Sequence, residues 1–306
     1  MNPHTPENWG AASREYAELA PRMMQPFATE LLARLEVGAD MEAVEVAAGT
    51  GALTLELAQR AKHVLATDFA PGMIEVLRER AVAAGCDNVT CEVMDGMALD
   101  IEDARYDRGA SSFGMMLFPD RAKGFAELRR VLRPGGRAAV SGWAGPAEFE
   151  SFAIFLGALK AAFPDLPPPP APPAVFSLAD PASFVAELET AGFANVRVDK
   201  VATDLELTGF DELWTMLSSG APPVKIFFDR IGDEGIARLR DALAKIVADL
   251  SAGERQRVEI VRRVPRVLVR VALRVEAKPL RGVELFGRQK VPVRVTSQQE
   301  PALRVP

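Results

Sequence analysis

Along the chain, short apolar runs alternate with stretches whose apolar residues recur at helical spacing. Helical periodicity runs from Trp9 to Leu19 and again from Met24 to Leu35, with Pro21 between and Gly38 beyond. This predicts two short helices, because a proline inside a helix removes a hydrogen bond and crowds the preceding turn. Apolar runs at 43–48, 63–67, 89–94, 108–113 and 137–142 read as strands, and 51–60, 72–84 and 120–132 as the helices joining them. Strand and helix in strict alternation predict an α/β fold built on a largely parallel sheet.

The second half is less regular. Phe149, Phe152 and Phe155 fall near helical spacing, and Pro164–Pro173 reads as a stiff, extended connector. A helix is expected from Asp180-Pro181 to about Ala191, and Gly192-Phe193-Ala194-Asn195-Val196-Arg197-Val198 turns into a sixth strand. Residues 209–250 read as helical, and Arg266–Val275 alternates as a last strand. From Lys278 to Pro306 Val, Arg and Pro dominate without period, which predicts disorder. The chain therefore divides into an N-terminal segment (1–40), an alternating core (41–145), a region of helices plus a strand (146–253) and a tail (254–306).

Composition narrows the class. An apolar share of 48% with 25% charged residues is ordinary for a globular chain, and 306 residues suffice for a large core. The start lacks the basic and apolar regions of a signal peptide, and no run of eighteen apolar residues occurs. With Cys86 and Cys91 the only cysteines, neither a disulfide framework nor a zinc cage is expected. A cytoplasmic protein without a membrane span, monomeric or homodimeric, is the expectation. Charge is uneven: eleven Arg and two Lys against five Glu from Glu254 onward give +8, leaving −14 for residues 1–253. An acidic body argues against a nucleic-acid partner, which wants a basic face. A basic binding arm is the functional alternative for the tail.

The candidate chemistry begins at Val44-Glu45-Val46-Ala47-Ala48-Gly49-Thr50-Gly51, followed by apolar Leu53, Leu57 and Ala58. A strand that ends in a glycine turn and feeds a helix is a nucleotide site: the glycines let a ligand approach the backbone, and the helix start favours polar groups. A dinucleotide loop wants a third glycine where this chain has Thr54. The next strand ends in Asp68, ahead of Pro71 at a helix start, and the third in Asp95-Gly96. A carboxylate at Asp68 can accept from both hydroxyls of a ribose, or cap the helix that follows. Asp95-Gly96 also suits a plain turn.

The pattern Glu45-x-Ala47-x-Gly49-x-Gly51, with Asp68, Asp95 and the later Arg130-Val131-Leu132-Arg133-Pro134-Gly135-Gly136, resembles class I S-adenosylmethionine (SAM) dependent methyltransferases. The Ala-Ala-Gly-Thr-Gly loop is similar to variants in the quinone-methylating branch. The resemblance implies a Rossmann-like, doubly wound, seven-stranded sheet with an antiparallel last strand and helical lid and cap elements. It implies SAM as cofactor, with S-adenosylhomocysteine as product and no metal. Glu45, Ala47, Gly49, Thr50, Gly51, Asp68, Phe69, Met73, Asp95, Gly96, Met97 and Ser112 are then the expected cofactor-binding residues. Asp95 would accept from the adenine amino group.

The same resemblance makes residues 8–36 a lid and turns the end of the fourth strand toward the methyl acceptor. Trp9, Tyr16, Phe113, Met116 and Trp143 are the expected acceptor pocket, and Tyr16 the candidate catalytic group. Soft, apolar side chains at 113–118 suit a small, partly apolar or aromatic metabolite, methylated on oxygen, nitrogen or carbon. The alternatives are a SAM-binding module without turnover and a nicotinamide-dependent oxidoreductase. The two histidines are not expected to take part: His63 starts the second strand, and His4 belongs to a loose terminus.

Overall fold

A computed structural model of the chain describes residues 4–148, 150–167, 173–205, 209–218, 221–253 and 264–277, the last by backbone alone. The expectations for Phe149 and for residues 278–306 lie outside the described residues.

Five strands form the parallel centre of the sheet: β1 (Glu42–Val46), β2 (His63–Asp68), β3 (Val89–Val93), β4 (Tyr106–Ser112) and β5 (Leu132–Trp143), in the order β3-β2-β1-β4-β5. β1 and β4 are neighbours although two strands separate them in sequence, so the winding direction reverses between them. The crevice beyond the carboxyl ends at such a reversal is where ligands bind in this architecture.

Beyond β5 lie β6 (Phe193–Ala194), β7 (Arg197–Leu205) and β8 (Val264–Ala277), with β8 antiparallel to β5, β6 and β7. The described residues thus hold eight strand segments where seven strands were expected. Asn195, at φ 57°, breaks the expected sixth strand into β6 and β7.

The N-terminal region departs from its sequence pattern. Instead of two helices split at Pro21, one helix, α1 (Pro6–Leu35), spans 30 residues. The missing N–H at Pro21 costs about 3 kcal/mol. Burial of Ala20, Met24, Phe27, Ala28, Leu31, Leu32 and Leu35 along one stripe against the sheet offsets that loss. The start is set locally: Thr5 Oγ1 accepts from the N–H of Asn8 and Pro6 occupies the first helical turn.

α2 is short, Thr54–Ala58 rather than 51–60, because the left-handed backbone at Gly51 (φ 86°) is incompatible with a helix. α3 covers Pro71–Ala83. α4 (Arg121–Arg130) ends before the expected 132, and Pro134-Gly135-Gly136 lies within β5 rather than before it. Leu132 pairs with Tyr106 and Arg137 with Arg108, so these residues bulge out of the ladder, with Gly135 at φ 78°.

α5 (Glu150–Ala162), α6 (Pro181–Thr190), α7 (Phe210–Ser218) and α8 (Pro222–Gly253) complete the chain, α8 broken at Gly232 (φ 64°, ψ −179°). α5, α7 and α8 share a second apolar cluster around Ala158, Leu239 and Leu243, with Trp214 stacked on Phe228. Among the described residues no helix is long and apolar enough to cross a membrane.

Candidate active site

The loop after β1 is built from left-handed residues: Ala47 (φ 56°), Gly49 (φ 56°) and Gly51 (φ 86°). The two glycines serve different ends. A Cβ on Gly49 would point into the cavity, 3.9 Å from the Tyr16 ring, whereas one on Gly51 would sit 2.1 Å from Leu77 of α3. Gly51 is therefore a packing position and does not line the cavity. Ala47 tolerates a positive φ that few non-glycine residues adopt. Its methyl group fills the space beside Gly114, where an added Cβ would come within 2.4 Å.

Asp68, at the end of β2, closes the loop. Its Oδ2 accepts from the N–H of Gly49 (2.9 Å) and its Oδ1 from that of Ala70 (3.0 Å). Burial pushes its carboxyl up to about 6, while those two N–H groups pull the other way. Glu45 sits one strand over, 1% exposed, with Oε2 accepting from Thr54 Oγ1 at 2.6 Å. Burial pushes Glu45 up to about 8, and the Asp68 charge adds to the rise. Thr54 thus anchors the strand-end carboxylate in the place a dinucleotide loop gives to its third glycine.

Around these groups lies a cavity of about 390 Å³, of the size small-molecule sites have. Glu45, Ala47, Gly49, Thr50, Asp68, Phe69, Met73, Asp95, Gly96, Met97 and Ser112 all line it. Asp95 Oδ1 accepts from the N–H of Met97 (2.9 Å), so the turn and the lining carboxylate are one feature. Gly96 is required there, since a Cβ would strike Phe118 at 2.6 Å and Val46 at 2.7 Å.

The acceptor side divides differently from its expectation. Trp9, Tyr16 and Phe113 line the cavity, but Met116 and Trp143 do not. Phe113 adopts φ 58°, which reverses the chain after β4 and turns Met116 into the core, 4% exposed. Trp143 lies behind Phe113, ring centroids 4.2 Å apart, with Phe27 packed edge-on to both. Leu117, Phe118 and Pro119 take the places that Met116 and Trp143 were expected to hold.

α1 crosses the cavity. Tyr16 is half-buried, its phenol pushed up to about 12 by desolvation and by the Asp68 charge, and Trp9 meets it edge-on at 5.6 Å. Ala20, Met24, Pro6 and His4 also line the cavity. His4 corrects the expectation of a loose terminus: it stacks on Trp9 with centroids 6.2 Å apart and planes at 22°. Thr5-Pro6, a cap followed by a first-turn proline, was the sequence signal for its fixed position.

A family model described as a methyltransferase domain matches residues 43–136. A demethylmenaquinone methyltransferase from Mycobacterium sp. (strain JLS) is 30% identical over 177 residues, 55% of this chain and 74% of that protein. The chain belongs to the SAM-dependent methyltransferase family. A demethylmenaquinone methyltransferase from Clavibacter sepedonicus is 40% identical over 103 residues, 34% of this chain and 41% of its own length. The chain spans about half the length of most of the curated relatives it matches. A putative methyltransferase from Bacillus halodurans C-125 shares the fold, with a TM-score of 0.50 at 18% identity, over 82% of this chain and 99% of that one.

The residues present fit the family's cofactor. Gly49 leaves space where a Cβ would stand, and Asp68 presents a buried acceptor-only carboxylate to the same cavity. Among the described residues no group of three or more His, Cys, Asp or Glu is placed to hold a metal ion.

Proposed function

We propose that the chain transfers a methyl group from SAM to an oxygen, nitrogen or carbon of a small, partly apolar or aromatic molecule. The observation that carries this reading is one cavity lined by two kinds of group: carboxylates and a glycine loop together with the apolar Phe113, Leu117, Phe118 and Pro119. Bound SAM would supply an electrophilic methyl on a positively charged sulfur. Asp68 would accept from the ribose hydroxyls, Asp95 would take the adenine amino group, and Met97 would lie under the ring. Glu45 and the loop from Ala47 to Thr50 would hold the amino-acid end.

In-line displacement asks mainly for alignment and exclusion of water, which can lower a barrier by roughly 7–11 kcal/mol. Residues 1–40 would supply the exclusion as a lid, with Trp9 and Tyr16 on its inner face. Tyr16, held neutral by its raised pKa, would orient by hydrogen bonding rather than act as a base. The demethylmenaquinone methyltransferases among the relatives favour a quinol-like acceptor. Thr54 bonded to Glu45 disfavours a pyrophosphate at this loop, and with it the oxidoreductase alternative. Calorimetry with S-adenosylhomocysteine tests the reading. Binding is expected, followed by transfer of labelled methyl from SAM into a metabolite extract; absence of binding would overturn it.

A further inference from the structure

We propose that Arg80, which does not itself line the cavity, is the positioning residue for the carboxylate of the cofactor's amino-acid end and acts on it through Thr50. The inference rests on the methyl-transfer reading and adds to it a mid-helix residue of α3 that no turn or strand end marks.

α3 packs against the glycine loop. Met73, Leu77 and Arg80 recur at helical spacing and so share one face. Met73 lines the cavity, and Leu77 fills the space in which a Cβ on Gly51 would stand. Arg80 Nη1 donates to the carbonyl oxygen of Thr50 and, at 3.4 Å, to its Oγ1. The loop is therefore gripped twice: Asp68 holds the N–H of Gly49, and Arg80 holds both oxygens of the next residue.

Two features of this contact point to a ligand. Thr50 lines the cavity and is 2% exposed, and its Oγ1 accepts from Arg80, while among the described residues its hydroxyl donates to no group. The one proton of that hydroxyl is thus kept for an acceptor in the cavity. Arg80 in turn is half-buried and, among the described residues, in no ion pair. Burial lowers its pKa with no carboxylate to oppose the shift, yet a guanidinium keeps its charge at any ordinary pH. A cation taken partly out of water without an acid beside it is uncommon.

Charge accounts for both. Glu45, Asp68 and Asp95 line the cavity, and among the described residues no Lys or Arg does. The cofactor's amino-acid end carries an ammonium and a carboxylate. Glu45 suits the ammonium, whereas a wall of carboxylates repels the carboxylate. The Arg80 charge polarises the Thr50 hydroxyl and makes it the stronger donor to that anionic group.

5′-Methylthioadenosine separates this role from mere support of the fold, since it keeps the nucleoside and the thioether but lacks the amino-acid end. Calorimetry on the full chain reads it beside S-adenosylhomocysteine. Arg80→Met should weaken S-adenosylhomocysteine roughly tenfold and leave 5′-methylthioadenosine within about threefold of the parent. Arg80→Lys, which keeps a charged donor, should recover most of the lost affinity. Thr50→Val should show the same selective loss, and Arg80→Met added to it should cost little more, because the two residues act in one chain of hydrogen bonds.

Unchanged affinity for S-adenosylhomocysteine in Arg80→Met, an equal loss for the two ligands, or additive losses in the double variant would overturn the inference. Should Arg80→Met fail to fold, the other two single variants decide it: Thr50→Val must lose S-adenosylhomocysteine selectively while Arg80→Lys retains it. A parent chain that does not bind S-adenosylhomocysteine would instead overturn the methyl-transfer reading, and this inference with it.

Discussion

Glu42 and Glu45 stand three residues apart on β1 and are driven in opposite directions. Glu42, at the amino end of the strand, is bonded to the Arg105 guanidinium, which holds its carboxyl down at about 2. Glu45, near the carboxyl end, has only a hydroxyl donor in Thr54, and burial pushes it up to about 8. An odd separation puts the two side chains on opposite faces of the sheet. One is an ion pair that ties the strand to its neighbours; the other is a group that the fold tolerates at a cost.

That cost gives Glu45→Gln an unusual sign. A carboxyl whose folded pKa exceeds its unfolded value favours the fold fully below about 4.5, and loses that contribution as pH rises through about 8. Asp68, raised to about 6, acts in the same direction. Without ligand, Glu45→Gln should therefore match the parent near pH 4.5 and exceed it above pH 8, by on the order of 5 kcal/mol at most. Thermal melts across pH check this. If the site binds SAM as proposed, the same variant should weaken S-adenosylhomocysteine in calorimetry; stabilisation with undiminished binding would remove Glu45 from the cofactor set.

Asp68→Asn tests the other carboxylate. The amide oxygen can still accept from one backbone N–H, but the charge that would receive two ribose hydroxyls is gone. Hydrogen bonds to a charged group contribute about 1.5–3 kcal/mol each, so affinity for S-adenosylhomocysteine should fall roughly 10²-fold. A titration showing less than a threefold loss would place the ribose elsewhere.

The parts of this site that were legible in the sequence are those whose chemistry is local. Glu45, Gly49 and Asp68 are each a strand end or a turn, and strand ends share one rim of a parallel sheet whatever the details of packing. Met116 was misplaced because the positive φ of Phe113 reverses the chain there, and Trp143 because the Phe113 ring packs over it; hydrophobic periodicity carries no information on either. Gly51 looked like part of the cradle, but its space is taken by Leu77, a contact between residues 26 apart. The unbroken α1 was hidden for the opposite reason: the local proline signal is strong, and tertiary burial overrides it.

α1 meets α3 at a pair of glycines. A Cβ on Gly72 would lie 2.8 Å from both the Cα and the carbonyl oxygen of Gly10, whereas one on Gly10 would meet Gly72 no closer than 3.6 Å. Two nominally equivalent substitutions should thus diverge. Gly72→Ala should force α1 away from α3, cost about 1–3 kcal/mol and weaken S-adenosylhomocysteine several-fold. Gly10→Ala should be neutral or stabilising by up to about 1 kcal/mol, since alanine is the better helix former. Melting temperatures of the pair decide it: equal losses would mean that α1 does not rest on α3 as described.

Trp143 offers a way to separate the two halves of the cavity. It does not itself line the cavity, yet it backs the ring of Phe113, which does, at 4.2 Å and is 6% exposed. Trp143→Phe shortens that support without emptying it. A cost of about 1–3 kcal/mol in stability is expected, toward the lower end of large-to-small core changes. Because Asp68, Gly49 and Glu45 sit on β1, β2 and their loop, the affinity for S-adenosylhomocysteine should stay within about threefold of the parent. The acceptor side should suffer instead, with the KM for a phenolic substrate rising several-fold as Phe113 gains freedom. Calorimetry and steady-state kinetics on one preparation read both effects, and a parallel loss of cofactor affinity would show that Phe113 serves the nucleoside rather than the acceptor.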